Sequence, residues 1–213
     1  MISLFKKLLI FPAFIPLIIL FASYQLLAGG SEGKPDPLKF YTECRFSDGL
    51  RIVEVDRLPS DVRSRSVKTA SGDKSISMID GYRIMLAYPD TDYFINLKVE
   101  KSAPMRYIQD KKHIIESFEF MSAQSKMSPL VRYKKSGYEI YGLNRMTIQQ
   151  GGVISIYTLF RDDQETILTA YLLNQDPNRR KFQSFEEYCF LRDRFLSDYL
   201  FCIDFASKNN IFK

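Results

Sequence analysis

The fold is decided by the segment Val153–Leu173, which reads VISIYTLFRDDQETILTAYLL. Its two halves, Val153–Phe160 and Thr166–Leu173, are rich in Ile, Val, Thr and Tyr, which fit the pleated surface of a sheet. The polar run Arg161–Glu165 between them predicts a turn, so the second half returns as a strand. Because both halves are apolar on both faces, we place them at the centre of a sheet that helices cover.

Five further strands are predicted from alternating or β-branched runs. They are Phe40–Phe46, Leu50–Val55, Tyr82–Tyr88, Tyr93–Val99 and Tyr138–Thr147. The first two are expected to pair across Asp48-Gly49, because Asp-Gly is a common hairpin turn. The third and fourth are close in sequence, which favours an antiparallel hairpin. The polar stretch Asp56–Lys74 is predicted to be a long loop or a region of weak order. Loops of this length are candidates for a mobile functional element, but an unconstrained surface loop is the favoured interpretation.

Two helices complete the pattern. The first, Pro104–Ser125, opens on proline, which the first turn of a helix tolerates. The second begins at Ser184, with Glu187 as its capping-box partner, and the residues from Ala206 onward are predicted to be a tail. The apolar residues expected to face the core are Tyr107, Ile108, Ile114, Ile115, Phe118 and Met121 in the first helix, and Phe185, Tyr188, Cys189, Phe195, Leu196, Tyr199, Cys202 and Ile203 in the second. The order strands, helix, strands, helix predicts an α+β fold, a twisted and largely antiparallel sheet with helices packed on it.

The N-terminal segment Met1–Gly30 has the three parts of an export signal. These are the basic pair Lys6-Lys7, an apolar run and the small-residue exit Ala28–Gly30. A retained membrane anchor is the main alternative, since Leu8–Leu27 as a helix spans roughly 30 Å, the thickness of a bilayer core. A buried hydrophobic helix is the third alternative. In the first two cases the lysines stay on the cytoplasmic side, and the rest of the chain lies on the outer, periplasmic or extracellular, side.

The remainder of the chain is predicted to be one domain. Residues 31–37 form a short polar linker, Leu38–Phe205 a single α+β domain, and Ala206–Lys213 the tail. The leader holds two of the 30 basic residues and none of the 25 acidic ones, so the remainder has an excess of three positive charges. This mild excess contains no tract of five or more Lys and Arg residues, and nucleic-acid binding is therefore not predicted.

The three cysteines leave several pairings open. Cys189 and Cys202 lie in one predicted helix, about 20 Å apart at the helical rise, whereas a disulfide needs Cα atoms within about 7 Å. An exported domain meets oxidising conditions, so a disulfide would join Cys44 to Cys202 or to Cys189. Three buried free thiols are the alternative.

No motif with an assigned chemistry occurs in the sequence. His113 is the only histidine and is expected on the surface of a helix rather than as a catalytic base. The acidic pairs Asp90/Asp92 and Asp162/Asp163 are expected to be solvated turn residues. The cysteines lack the paired spacing of a zinc site, Gly151-Gly152 lacks the lysine of a phosphate loop, and Asn174–Lys181 is read as a solvated helix entry. We therefore predict no catalytic, cofactor-binding or metal-ligating residue and no cofactor.

Several stretches carry a resemblance to a known family. They are GYRIMLAYPDTDYFINLKVEKS at 81–102, GYEIYGLNR at 137–145 and GGVISIYTLFRDDQETILTAYLLNQ at 151–175. Together with the order of elements, they resemble the PsbP-like α/β/α sandwich superfamily, in particular its uncharacterised exported bacterial members. The resemblance implies an α/β/α sandwich and a binding role without catalysis, and it transfers no functional residue. The chain departs from PsbP in having no Trp and in its long N-terminal region, Lys39–Met78.

These observations lead to one principal expectation about function. The chain is expected to be a non-enzymatic binding or accessory protein of the cell envelope, with a protein partner there, acting through the sheet face or the loops at its edge. One alternative is an exported hydrolase, which would need two converging carboxylates with raised pKa values. A membrane-tethered structural subunit that keeps its leader is the other alternative.

Overall fold

The computed structural model describes residues 36–46, 49–87, 93–124, 129–147, 152–174 and 185–209. The predictions about the leader, the pair Asp90/Asp92, Gly151, Ser184 and residues 175–181 lie outside the described residues. From Pro37 onward the chain belongs to one compact unit, Pro37–Lys213. Neither described helix is long and apolar enough to cross a membrane, and the predicted anchor lies outside the described residues.

The described residues form one eight-stranded sheet and two α-helices. The strands are β1 Arg51–Leu58, β2 Arg63–Thr69, β3 Gly72–Ala87, β4 Tyr93–Ser102, β5 Val131–Lys135, β6 Tyr138–Thr147, β7 Gly152–Arg161 and β8 Thr166–Asn174; the helices are α1 Tyr107–Gln124 and α2 Phe185–Asn209. The order across the sheet is β1-β3-β4-β8-β7-β6-β5, and β2 pairs with β3 alone. All pairings among the described strands are antiparallel. The predicted α+β class is therefore confirmed.

The central position of β7 and β8 is also confirmed. Both strands lie in the interior of the sheet order, and their register pairs Arg161 with Thr166 across the connecting turn. Residues on both faces of the two strands are buried, among them Tyr157, Thr158, Phe160, Leu168 and Thr169. Burial on both sides explains why these strands lack the polar alternation of a half-solvated sheet.

The two helices lie on opposite faces of the sheet. Tyr107, Ile114 and Phe118 of α1 pack with residues of β3, β6, β7 and β8 in one core. Tyr188, Phe195, Leu196, Tyr199, Leu200 and Ile203 of α2 pack in a second core on the other face. The predicted apolar face of α1 is wrong at Ile108, which is 74% exposed, because it points away from the sheet.

The largest error of the sequence reading concerns Asp56–Lys74, which is not a loop. The stretch contains the end of β1, all of β2 and the start of β3. In β2, Arg63 and Arg65 lie opposite the buried residues Met78 and Ile76 of β3. The two strands join through a tight hairpin turn that needs Gly72, whose φ is +99°. Charged side chains are common on edge strands, so polarity alone did not distinguish this hairpin from a loop.

The predicted strand Phe40–Phe46 is also wrong. Lys39–Thr42 is a 3-10 turn, and the predicted strand at Leu50–Val55 is real but pairs with β3. Tertiary contacts decide this geometry: the Tyr41 and Tyr138 hydroxyls are 2.9 Å apart, and the Tyr199 hydroxyl donates to the Tyr41 carbonyl at 2.9 Å. A buried turn held in this way overrides a local strand preference.

One missed strand and two helix ends differ from prediction for local reasons. Strand β5 was missed, although Ser136 and Gly137, with φ of +50° and +78°, form the two-residue turn that joins it to β6. Helix α1 begins at Tyr107 rather than Pro104, after a turn in which Met105 has a φ of +61°. Helix α2 continues to Asn209, past the predicted start of the tail at Ala206, since no Gly or Pro interrupts it.

Among the cysteine alternatives, the structure joins Cys44 to Cys202. Their Cα atoms are 5.9 Å apart and 158 residues separate them in sequence. Cys189 is a free thiol in α2, the same helix as Cys202. The disulfide fastens the segment before β1 to the C-terminal part of α2.

Candidate functional site

A pocket of about 310 Å³ lies between strand β5 and helix α2. Its volume is at the lower end of the range for small-ligand sites. It is lined by Val131, Tyr133, Lys135, Tyr157, Arg192, Asp193, Leu196 and Ser197. Aromatic, aliphatic and charged side chains therefore converge on one cavity, which we call the Arg192 pocket.

The floor of the Arg192 pocket depends on a glycine inside a strand. Gly142 of β6 lies opposite Tyr157 of β7, and a Cβ at Gly142 would collide with the Tyr157 ring. The ring fills the space that the missing side chain leaves. The guanidinium carbon of Arg192 is then 5.5 Å from the centre of this ring, a cation–π arrangement.

A buried hydrogen-bond network fixes Arg192. The side chain of Arg192 donates from Nη1 to Asn144 Oδ1 at 2.9 Å and from Nε to Asp193 Oδ1 at 2.8 Å. Ser155 Oγ donates to the same Asn144 oxygen, and the Tyr188 hydroxyl donates to Ser155 Oγ at 2.7 Å. Arg192 is only 8% exposed. Burial lowers the pKa of the Arg192 guanidinium, but the bond to Asp193 and the contact with Tyr157 outweigh it, so the positive charge is retained.

The polar network positions a charge, and it does not activate a nucleophile. The hydroxyl of Ser155 is the aliphatic one in the network, but it donates to the Asn144 amide oxygen, which cannot act as a general base. The single histidine, His113, is on α1, on the opposite face of the sheet from α2, with Nδ1 3.2 Å from the Ser75 carbonyl oxygen. The predicted helix position of His113 is confirmed.

The rim of the Arg192 pocket is rich in hydrogen-bond donors. Burial, with smaller contributions from Tyr157 and Asp193, raises the pKa of Tyr133 to about 12, so its phenol keeps its proton at neutral pH. Lys135 Nζ donates to Ser197 Oγ at 2.8 Å. Among the described lining residues, two cations and a phenol thus accompany one carboxylate, that of Asp193. This balance suits a ligand with a carboxylate and an apolar body.

Two carboxylates converge on one lysine on the other face of the sheet. Lys111 of α1 bridges Glu139 of β6, at 2.9 Å, and Asp162 of the turn after β7, at 2.8 Å. The bond to Lys111 lowers the pKa of Glu139. Burial tends to raise the pKa of Asp162, but bonds from Lys111 and Tyr107 lower it overall. Both groups are ionised at neutral pH and cannot serve as a general acid there.

The Lys111 bridge gives a stability prediction. Because the pKa values of Glu139 and Asp162 are lower in the folded than in the unfolded chain, their contribution is complete above a pH of about 4 and is lost as the pH falls through the folded values. We expect Lys111→Met to lower the free energy of unfolding at pH 7 by about 1–3 kcal/mol. The difference from wild type should shrink on acidification to pH about 3. Urea denaturation of wild type and Lys111→Met at both pH values measures this difference in the free energy of unfolding.

The neighbouring Lys112→Met variant is the matched control. Lys112 is exposed, and among the described residues its ion pair is with Glu116 on its own helix, at 3.8 Å. A change within about 0.5 kcal/mol is therefore expected. If Lys111→Met loses the same stability at neutral and at acidic pH, the loss does not depend on the ionisation of Glu139 and Asp162, and the prediction is contradicted.

The sequence reading located some of these residues and missed others. Asp162 and Asp163 are exposed turn residues, as predicted, but the ion pair of Asp162 with Lys111 was not foreseen. Arg192 was missed, although it interrupts the apolar stripe of α2 one turn from both Tyr188 and Leu196. A charged residue within an apolar helix stripe, together with a glycine inside a strand, was the sequence signal that could have indicated the pocket. Within the described ranges, no group of three or more His, Cys, Asp and Glu residues is arranged to hold a metal ion.

Comparison of the chain with protein-family models, with curated proteins and with solved structures gives no match.

Proposed function

We propose that this chain is a non-enzymatic binding protein of the cell envelope that holds a carboxylate-bearing ligand in the Arg192 pocket. The basic pair Lys6-Lys7 before the apolar run Leu8–Leu27 supports a location on the outer side of the cytoplasmic membrane. The resemblance to the PsbP-like superfamily supports a binding role. The envelope partner would present its carboxylate on a peptide terminus or an acidic side chain.

One observation carries the proposal. Arg192 is a buried cation, held in place by Asn144, Asp193 and the Tyr157 ring, at the wall of a pocket that opens beside an exposed tyrosine. Burying a charge is costly, and a helix stripe that only packed on the sheet would carry an apolar residue at this position. A preorganised arginine whose ion pair, within the described residues, is with Asp193 is suited to binding a further anionic group.

The ligand chemistry is tested with two small probes. N-acetylphenylalanine has a carboxylate and an aromatic body, whereas its amide has the same body without the charge. We expect the acid to shift the NMR signals of Arg192 and Tyr133 and to bind with a Kd of about 1 mM or tighter. The amide should bind at least tenfold more weakly, because it cannot pair with the guanidinium. Equal affinity for the acid and the amide would contradict the proposal.

A matched pair of variants tests the residue. Arg192→Met removes the charge at similar length and should abolish the preference for the acid, while Arg194→Met, on the exposed side of the same helix, should leave it unchanged. Thermal unfolding shows whether each variant folds. Tyr133→Phe removes only a rim hydroxyl and should lower the affinity for the acid by about two- to tenfold. This variant keeps the test decisive if Arg192→Met does not fold.

The proposed location is tested separately. The N-terminal residue of the chain isolated from cells distinguishes cleavage, which gives Ser31, from an anchor, which gives Met1. Recovery of the chain from the cytoplasmic fraction with Met1 intact would contradict the envelope location, whatever the pocket binds.

A further inference from the structure

A second cluster of charges lies on the opposite face of the sheet from the Arg192 pocket. Glu100 of β4 is only 1% exposed. Arg65 Nη1 is 2.7 Å from its Oε2, while Lys98 Nζ and Arg63 Nη2 are 3.0 Å and 3.9 Å from its Oε1. We call these four residues the Glu100 cluster. It joins β2 to β4 across β3, on the face that α1 partly covers.

The cluster has more positive than negative charge. Three cations surround one carboxylate, and in the described part of the chain no other carboxylate lies within 4.0 Å of any of them. Arg83 is the register partner of Lys98 on β3 and is exposed beside it. A surplus of two charges in a partly buried site is costly unless a counter-charge is bound.

The Arg63 guanidinium gives a second, independent observation about the cluster. Its Nη1 and Nη2 are both buried and neither has a hydrogen-bond partner. The 3.9 Å from Nη2 to Glu100 is too long for a hydrogen bond. Buried donors of folded proteins are nearly always paired, with protein, water or an ion. Glu100 Oε2 is likewise without a hydrogen bond, although Arg65 Nη1 lies 2.7 Å from it. Arg63 therefore presents two buried donors that an added oxygen acceptor would pair.

The cluster is also rigidly placed. Glu100 lies opposite Gly81 of β3, and its Cγ would be 3.3 Å from a Cβ at that position. The carboxylate stem thus packs directly on the backbone of β3. Burial lowers the pKa of Lys98, the attraction of Glu100 opposes this, and Arg65 and Arg63 lower it further.

We propose that the Glu100 cluster binds a phosphate group, with Arg65 and Lys98 as the donors that a ligand reaches first. These two side chains are 36% and 30% exposed. A phosphate monoester carries close to two negative charges at neutral pH and several acceptor oxygens. It therefore matches both the surplus of two charges and the unpaired donors of Arg63. The phosphate could belong to a soluble phosphate ester or to a lipid headgroup, which have the same chemistry. This inference does not depend on the Arg192 pocket.

The experiment measures the unfolding temperature of the chain as isolated from cells, in phosphate and in chloride at equal ionic strength. We expect phosphate to raise it by several degrees more than chloride does. Arg65→Met should lose most of this difference. Lys68→Met should keep it, because Lys68 is exposed on the same strand but faces the other side. Equal responses to the two salts, or an undiminished response in Arg65→Met, would overturn the proposal and leave a structural water as the partner of Arg63.

Glu100→Gln provides a second readout that a purely structural cluster would not give. Neutralising the carboxylate of Glu100 should destabilise the chain and at the same time strengthen its response to phosphate, because this counter-charge no longer competes. If phosphate raises the unfolding temperature of Glu100→Gln by less than it raises that of wild type, the proposed phosphate site is contradicted. If Glu100→Gln does not fold, the comparison of Arg65→Met with Lys68→Met decides.

Vesicles distinguish the two sources of phosphate. Phosphatidylcholine vesicles with and without phosphatidic acid are sedimented with wild type and Arg65→Met. Binding that needs both phosphatidic acid and Arg65 identifies a lipid headgroup as the ligand. Equal sedimentation of wild type and Arg65→Met, together with a phosphate response in solution, identifies a soluble phosphate ester.

Discussion

Replacing Cys44 and Cys202 together by alanine is expected to lower the free energy of unfolding by about 3–5 kcal/mol. The disulfide closes a loop of 158 residues, and cross-links across long loops remove the most conformational entropy from the unfolded chain. It also holds the turn of Tyr41 against α2, where Tyr199 donates to the Tyr41 carbonyl. Guanidinium denaturation of wild type and of the double variant measures the loss.

The third cysteine supplies the control for this prediction. Cys189→Ala removes a free, half-buried thiol and should cost about 1 kcal/mol or less. Dithiothreitol should destabilise wild type and Cys189→Ala by similar amounts and leave the double variant unchanged. If the reductant does not lower the stability of wild type, the prediction that the Cys44–Cys202 disulfide stabilises the fold is contradicted.

Gly81→Ala is expected to be the second most disruptive change, costing about 2–4 kcal/mol. A Cβ at Gly81 would collide with the carbonyl oxygen of Val99 and lie 3.2 Å from the Cα of Glu100. Both are backbone atoms of β4, so the two strands would have to move apart. That separation would also displace Glu100 and loosen the three ion pairs it makes.

Gly142→Ala is the informative comparison, because it also lies inside a strand. A Cβ at Gly142 meets the ring of Tyr157 rather than a backbone. Because the ring can shift, we expect a smaller loss in the free energy of unfolding, about 1–2 kcal/mol. The shifted ring should disturb the Arg192 pocket. Thermal unfolding of both variants gives the order of stability, and an NMR titration with N-acetylphenylalanine reports on the pocket. A larger loss of stability in Gly142→Ala than in Gly81→Ala would contradict this reading of the two contacts.

Predictions from sequence succeeded where one local pattern had one structural solution. β-branched and aromatic residues on both faces placed β7 and β8 in the interior of the sheet, and burial on both faces is what such a pattern requires. The stripe of α2 likewise indicated most of its buried residues. Periodicity reports burial, and burial was the dominant constraint in these elements.

Predictions failed where distant residues decide the local structure. The hairpin of β2 and β3 is polar in sequence because its charged residues, Arg63 and Arg65, pair with Glu100 on another strand. Tyr41 lies in a turn because Tyr138 and Tyr199 hold it there. No window of neighbouring residues contains these partners.

The sequence by itself determined the class of the fold, the interior strands and the helix that carries both Cys189 and Cys202, since each depends on hydrophobic periodicity within one segment. Only the tertiary structure decided which cysteine pairs with Cys44, that Arg192 forms the wall of a pocket and that three cations meet at Glu100. The physical reason is that charge pairing, hydrogen bonding and cross-linking act over a few ångströms in space. The chain brings such groups together only after strands far apart in sequence have found their register.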